Sequence, residues 1–263
     1  MLIDTHAHLH FDDFATDDDA PSGDRQAAIE AVLQRAHRAG VEKIMCVGVN
    51  ETDSAEAVAV AHAFDNLWAT VGLHPHDADR GYDALEEIAR LADLEKVVAI
   101  GECGLDYYKS ETTKEEQERV LRFQIELGLE RHLPMVFHVR DAFEDFWRIL
   151  DDYSKVSGVV HCFTAGPPEL AGSLERGLYV ALNGIMTFTK DESQLEAAKL
   201  VPLERLVLET DCPFLTPSPL RGRRNEPANV ELTAKFLANL RGEAYEDLAS
   251  ATTDNAEHLF GLR

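Results

Sequence analysis

MLIDTHAHLHF, residues 1–11, opens the chain with a short apolar run followed by histidines at positions 6, 8 and 10. Leu2–His6 reads as a strand, and in a strand residues i and i+2 face the same way. His6, His8 and His10 then share one side, with Thr5, Ala7 and Leu9 on the other. Two imidazoles so placed can close on one metal ion at about 2.0–2.1 Å per bond. With 11 histidines in 263 residues an HxH pair is a weak signal by itself, so its meaning depends on the rest of the chain.

The opening strand is the first of a series. Further candidate strands are Ile44–Val49, Trp68–Leu73, Val97–Gly101, Pro134–Val139, Gly158–Cys162, Leu178–Leu182 and Leu206–Thr210. Amphipathic stretches separate them, such as DRQAAIEAVLQRAHRAG (24–40), SAEAVAVAHAF (54–64) and DALEEIARLADL (83–94). TTKEEQERVLRFQIELGLER (112–131) opens with what reads as a capping box, Thr112-x-x-Glu115. Gly40 stands where a helix C-terminal cap belongs. Strands alternating with helices imply βαβ units and a parallel sheet. Eight of them in a chain this long predict a (β/α)8 TIM barrel. A doubly wound sheet is the runner-up, but no G-x-G-x-x-G or P-loop motif follows a strand. No linker rich in Pro, Gly or Ser interrupts the pattern, so residues 1–263 read as a single barrel domain.

Bulk properties narrow the function. No run of 18 apolar residues predicts a membrane span, and the N-terminus lacks a signal-peptide pattern. Cys46, Cys103, Cys162 and Cys212 form no CxxC pair. A cytoplasmic protein, and a monomer, is expected. Formal net charge is −23, and 17 of 25 basic residues are arginine. That balance suits an acidic surface adapted to high salt and differs from the basic face of a usual nucleic-acid binder. The acidic segment FDDFATDDDAPSGDR (11–25) reads as a solvated surface loop.

Polar residues recur at the strand ends. After the histidines of strand one come His74 and His76 after strand three, and Glu102 and Asp106 after strand four. His138 belongs to strand five, His161 to strand six and Asp211 to strand eight. In a parallel barrel these ends meet at one mouth, where barrel enzymes keep their sites. Imidazole with carboxylate suits zinc, manganese and similar ions, while magnesium prefers oxygen. Four histidines and two carboxylates exceed one tetrahedral site and suit two divalent ions. His6, His8 and Asp211 fit one ion, because strands one and eight adjoin on closure. His138 and His161 fit the other, with Glu102 as the bridge. Asp211 can also accept the proton of an attacking water. Cys103, Cys162 and Cys212 each follow a ligand directly, so alternation points them away from the pore. Glu209 shares the face of Asp211 and either orients a ligand from behind or sits in the core beside a cation. His37, His62, His132 and His258 fall in helices or at their ends and are not expected to bind metal.

Taken in order, THAHLHF, GLHPH, IGECGLDYY, HVRDA, HCFTAG, ETDCPFLTP and RRNEPANV resemble the TatD-type metal-dependent deoxyribonucleases of the amidohydrolase superfamily. The resemblance runs from residue 4 to residue 230. It implies a (β/α)8 two-metal phosphodiesterase acting on DNA, often an exonuclease preferring single strands or 3′ ends. It implies the ligand roles above for His6, His8, Glu102, His138, His161 and Asp211, and a place near the substrate phosphate for His74. Arg223 and Arg224 either grip a phosphate or brace their loop through local carboxylates. Two divalent ions (Mg2+, Mn2+ or Zn2+), two carboxylates and a hydroxide leave the mouth at about +1, so an acidic protein can still attract a phosphate. The rival readings are an amide, lactone or ester hydrolase on the same metals, including an aminoacyl-tRNA deacylase, and a non-catalytic metal-binding adaptor.

Overall fold

The computed structural model describes residues 1–108 and 110–262. The strands are β1 (Leu2–Ala7), β2 (Val41–Val47), β3 (Leu67–Val71), β4 (Val97–Asp106), β5 (Met135–Arg140), β6 (Gly158–Val160), β7 (Tyr179–Leu182) and β8 (Leu206–Leu208). Between them lie α1 (Arg25–Arg38), α2 (Glu51–Ala63), α3 (Tyr82–Leu91), α4 (Lys114–Arg131), α5 (Phe143–Leu150), α6 (Pro167–Glu175) and α7 (Glu192–Leu200). After β8 come α8 (Val230–Arg241) and α9 (Tyr245–Phe260). The strands pair in parallel in the order β1 to β8. A parallel bridge between Ala7 and Cys212 brings the two edges together. This is the (β/α)8 barrel expected from the alternation. Among the described residues no helix is long and apolar enough to cross a membrane.

Two apolar layers hold it. Ile3, Met45, Ala99, Val136, Val159, Ala181 and Val207 point into the barrel and meet Ala256, Leu259 and Phe260 of α9. That helix therefore closes the N-terminal end with apolar side chains. The alternate residues, among them Leu2, Ile44, Ala69, Ile100, Phe137, Val160 and Leu208, pack outward against the helices.

Two register shifts decide which side chains face the mouth. From Ile3, strict alternation would aim Thr5 and Ala7 inward. A shift between Asp4 and Ala7 instead puts Ala7 in the outer layer and turns His6 and His8 to the interior. In β4 a second shift, between Ile100 and Cys103, sends Cys103 outward and Glu102 inward. Such bulges re-aim side chains beside functional sites. Two glycines permit the second one: Gly101 and Gly104 have φ of 149° and 152°, and a Cβ on Gly104 would overlap the His138 carbonyl.

The seam between β1 and β8 rests on few bonds. Asp211 donates its N–H to the His6 carbonyl and His8 to that of Cys212, both at 2.8 Å. Thr210 donates its hydroxyl (2.6 Å) and its N–H (2.9 Å) to Asp4. Asp4 is fully buried, and burial pushes its carboxyl up to about 8.

Local details depart from expectation in three places. β4 runs to Asp106, so Glu102 lies within a strand: the bulged segment keeps pairing with β5 through Cys103, Gly104, Leu105 and Asp106. β2, β3, β6 and β8 end two residues before their expected limits, and β2 begins three residues earlier, at Val41. The capping box is Thr113 with Glu116, because Thr112 spends its hydroxyl on the Pro75 carbonyl at 2.7 Å. The acidic loop is mostly exposed, as expected.

Candidate metal centre

Glu102 sits at the middle of the mouth, and its two oxygens face different histidines. Oε2 lies 3.3 Å from His6 Nε2. Oε1 lies 2.8 Å from His138 Nδ1, 2.9 Å from His161 Nε2 and 3.5 Å from His74 Nε2. On the first side, Asp211 Oδ1 is 3.6 Å from His6 Nε2 and 3.4 Å from His8 Nε2. On the second, His138 Nδ1 and His161 Nε2 stand 3.2 Å apart. The His6 and His161 rings stack between the two groups, centroids 4.1 Å apart.

Outer partners fix these rings. His8 Nδ1 pairs with the Val47 carbonyl at 2.7 Å; a carbonyl only accepts, so the proton is on Nδ1 and Nε2 keeps its lone pair. His138 Nε2 pairs with Asp106 Oδ2 at 2.9 Å, which leaves Nδ1 to face Glu102. Glu209 Oε1 accepts from the Cys162 N–H at 2.7 Å and Asn183 Nδ2 at 3.0 Å. It stops 3.6 Å short of His161 Nδ1.

Charge and burial conflict here. Burial works against ionised Glu102, yet the surrounding imidazoles, His161 foremost, hold its carboxyl well below the usual range. Burial likewise opposes a charged His161, but Glu102 and Glu209 hold its pKa well above that of free imidazole. At His74 burial, joined by the neighbouring imidazoles, outweighs the pull of Glu102 and lowers its pKa to about 3. The site draws positive charge into a buried place.

Divalent cations fit that demand. His6 Nδ1 and Nε2, His161 Nδ1 and Glu209 Oε2 are buried with no hydrogen-bond partner, and such atoms are costly unless something binds them. Ligands about 2.1 Å from one ion sit roughly 3.0–3.4 Å apart at octahedral or tetrahedral angles, close to the spacings above. Among the described residues three donor groups are compact enough to hold a metal: His6–His8–Glu102, His6–His161–Glu209 and His74–Glu102–His138.

The family model of TatD-related DNases matches residues 3–261. The chain belongs to that family. Its relatives include the metal-dependent hydrolase YabD of Bacillus subtilis (strain 168), 40% identical over 265 residues and covering 100% of both chains. The 3′-5′ ssDNA/RNA exonuclease TatD of Citrobacter rodentium is 39% identical over 241 residues, covering 89% of this chain and 92% of that one. Among solved structures, the TatD homologue YjjV of Escherichia coli superposes with a TM-score of 0.89 at 30% identity, over 99% of this chain and 98% of that one. This TatD-family chain is a metal-dependent hydrolase acting on ester bonds.

The TatD-family barrel brings His8, Glu102, His138, His161 and Asp211 together, with His74 beside them, around a cleft of about 520 Å³, and His6 lies fully buried behind it against Glu102. It does not bring the arginines. Arg224 donates to the Asp13 and Thr16 carbonyls and, at 2.9 Å, to Asp17. It braces the acidic loop, and neither it nor Arg223 lines the cleft. The arginine that does is Arg140, stacked over Tyr108 at 3.8 Å. Cys103 and Cys212 are buried in the outer layer, but Cys162 lines the cleft, against the alternation expected of it. Its φ of 47° breaks the strand there. Burial pushes its thiol up to about 12, so it stays protonated. The roles of Asp106 behind His138 and of Asp4 at the seam were not read from sequence. Asp106 carried a signal, a carboxylate at the end of IGECGLD; Asp4 carried none.

Proposed function

We propose that this chain is a two-metal exonuclease that trims single-stranded DNA. The observation carrying this reading is the two-sided placement of Glu102, one oxygen toward His6 and the other toward His138 and His161. His6, His8 and Asp211 would hold one ion, and His138 and His161 the other, with Glu102 between them. Two bound divalent ions lower the pKa of a water and offset the charge of the phosphate. The residues do the rest. Val47 and Asp106 fix His8 and His138 in the tautomers that present a free nitrogen. Asp211, whose side chain is 16% exposed, faces the cleft and accepts the water's proton on its carboxylate. His74, with its pKa near 3, stays neutral and contacts the phosphate, with Arg140 at the rim. The relatives named as single-strand exonucleases support this substrate class. A monomer in the cytoplasm suffices for it.

The test is cleavage of labelled single-stranded DNA in high potassium chloride, metal-free and then with magnesium, manganese or zinc. His161→Ala is assayed beside the wild type. Metal-dependent shortening from one end, lost in the variant while folding is retained, is expected. No cleavage under any metal by folded, metal-loaded protein removes the nuclease reading, and unchanged turnover in His161→Ala removes the ligand assignment.

A further inference from the structure

One wall of the cleft is aromatic. Phe11 lies flat against the His8 imidazole, ring centroids 4.6 Å apart and planes 12° apart. Phe214 stands across from both rings, 6.2 Å from Phe11 at 71° and 6.3 Å from His8 at 63°. Phe214 lines the cleft and is 51% exposed, so its ring is open to whatever enters. Its backbone is pinned. The Phe214 N–H donates to the Asp211 carbonyl at 2.9 Å, and its own carbonyl accepts from Asn225 Nδ2 at 2.6 Å. The same Nδ2 donates to the Thr210 carbonyl at 3.0 Å. The ring is thus an exposed face on a fixed turn, three residues from Asp211.

The charge pattern says what covers it. The chain carries −23, and Arg140 is the one Arg or Lys among the described residues lining the cleft. A phosphate backbone therefore gains little from long-range attraction, and in salt less still. Recognition has to come from contacts at short range. Stacking on an aromatic ring is such a contact, unaffected by salt screening and tolerant of base identity. A phosphate in the cleft, with His74 on one side and His8 and Asp211 on the other, has Phe214 as the exposed ring beside it, 6.3 Å from His8, so its nucleoside can reach that ring.

We infer that Phe214, buttressed by Phe11, is the stacking platform for the unpaired base of the nucleotide at the scissile phosphate. This rests on the nuclease reading and extends it. The platform selects an end whose base is free to leave its neighbours, because a paired base is already stacked.

The experiment compares two single-stranded oligonucleotides, identical except that the nucleotide at the trimmed end is normal in one and abasic in the other. Removal of that single nucleotide is measured as kcat and KM. Wild type is expected to favour the base-bearing end by about 10- to 100-fold in kcat/KM, mostly through KM. Phe214→Ala brings the ratio close to one, and Phe214→Tyr keeps it. Equal cleavage of both ends by wild type, or an undiminished ratio in Phe214→Ala, overturns the platform while leaving the nuclease in place. Cleavage of neither substrate by metal-loaded wild type overturns the nuclease reading, and the platform falls with it.

Discussion

Asp106→Asn separates the two halves of the centre. Asp106 is buried; its Oδ2 accepts from His138 Nε2 at 2.9 Å and its Oδ1 accepts the Tyr108 N–H at 2.8 Å. That bond turns His138 so that Nδ1 faces Glu102 and His161. Asparagine keeps the size, so no cavity opens; with its oxygen turned to His138 it keeps a neutral acceptor there, while its NH2 faces the Tyr108 N–H in place of an acceptor. At His138 what goes is the charge. A charge-assisted bond worth about 1.5–3 kcal/mol becomes a neutral one worth about 1. The net loss of about 0.5–2 kcal/mol weakens the ion proposed at His138 and His161 about 2- to 30-fold, overlapping the range for outer partners of metal ligands elsewhere. His6 and His8 do not touch Asp106, so the other ion keeps its affinity. Calorimetric titration of manganese into chelator-treated protein reads both constants. Two classes of site in the wild type, with one class weakened in the variant, are expected. Two unchanged constants, or two that fall together, would refute the assignment of Asp106 and His138 to one side of the pair.

The seam and the acidic loop make further predictions. Thr210→Val removes the hydroxyl that bonds Asp4 at 2.6 Å and accepts the Cys212 N–H at 3.2 Å. The cost of about 2–3 kcal/mol lowers the melting temperature by about 4–12 °C; an unchanged melting curve would show that the seam does not depend on this bond. Asp17 is held below its ordinary pKa, chiefly by its bond to Arg35 and also by Arg224. A depressed folded pKa adds stability above the unfolded value of 3.8 and loses it as pH falls through and below that value. Wild type should therefore lose stability faster than Asp17→Asn between about pH 5 and 3, and parallel urea-midpoint curves would contradict the network.

Much of the site was legible along the chain because a strand has a fixed period. Val136 and His138, Val159 and His161, and Val207, Glu209 and Asp211 follow plain alternation from the barrel interior to the mouth. His6 and Glu102 do not. Each reaches the interior past a register shift in β1 or β4, and what betrayed them was chemistry, an HxH and a lone acid amid apolar residues. The arginines misled for a different reason. RGRR (221–224) is dense in sequence, but the acidic loop folds beside it and takes up Arg224.

The order of strands and helices, the candidate donor set at the mouth and the acidic charge are properties of residue type and spacing, so the sequence by itself determined them. Which oxygen of Glu102 faces which histidine, and that Asp106 holds His138, depended on two bulges and a closed seam. Only the tertiary structure decided those, because a one-residue shift in register reverses the direction of every side chain beyond it.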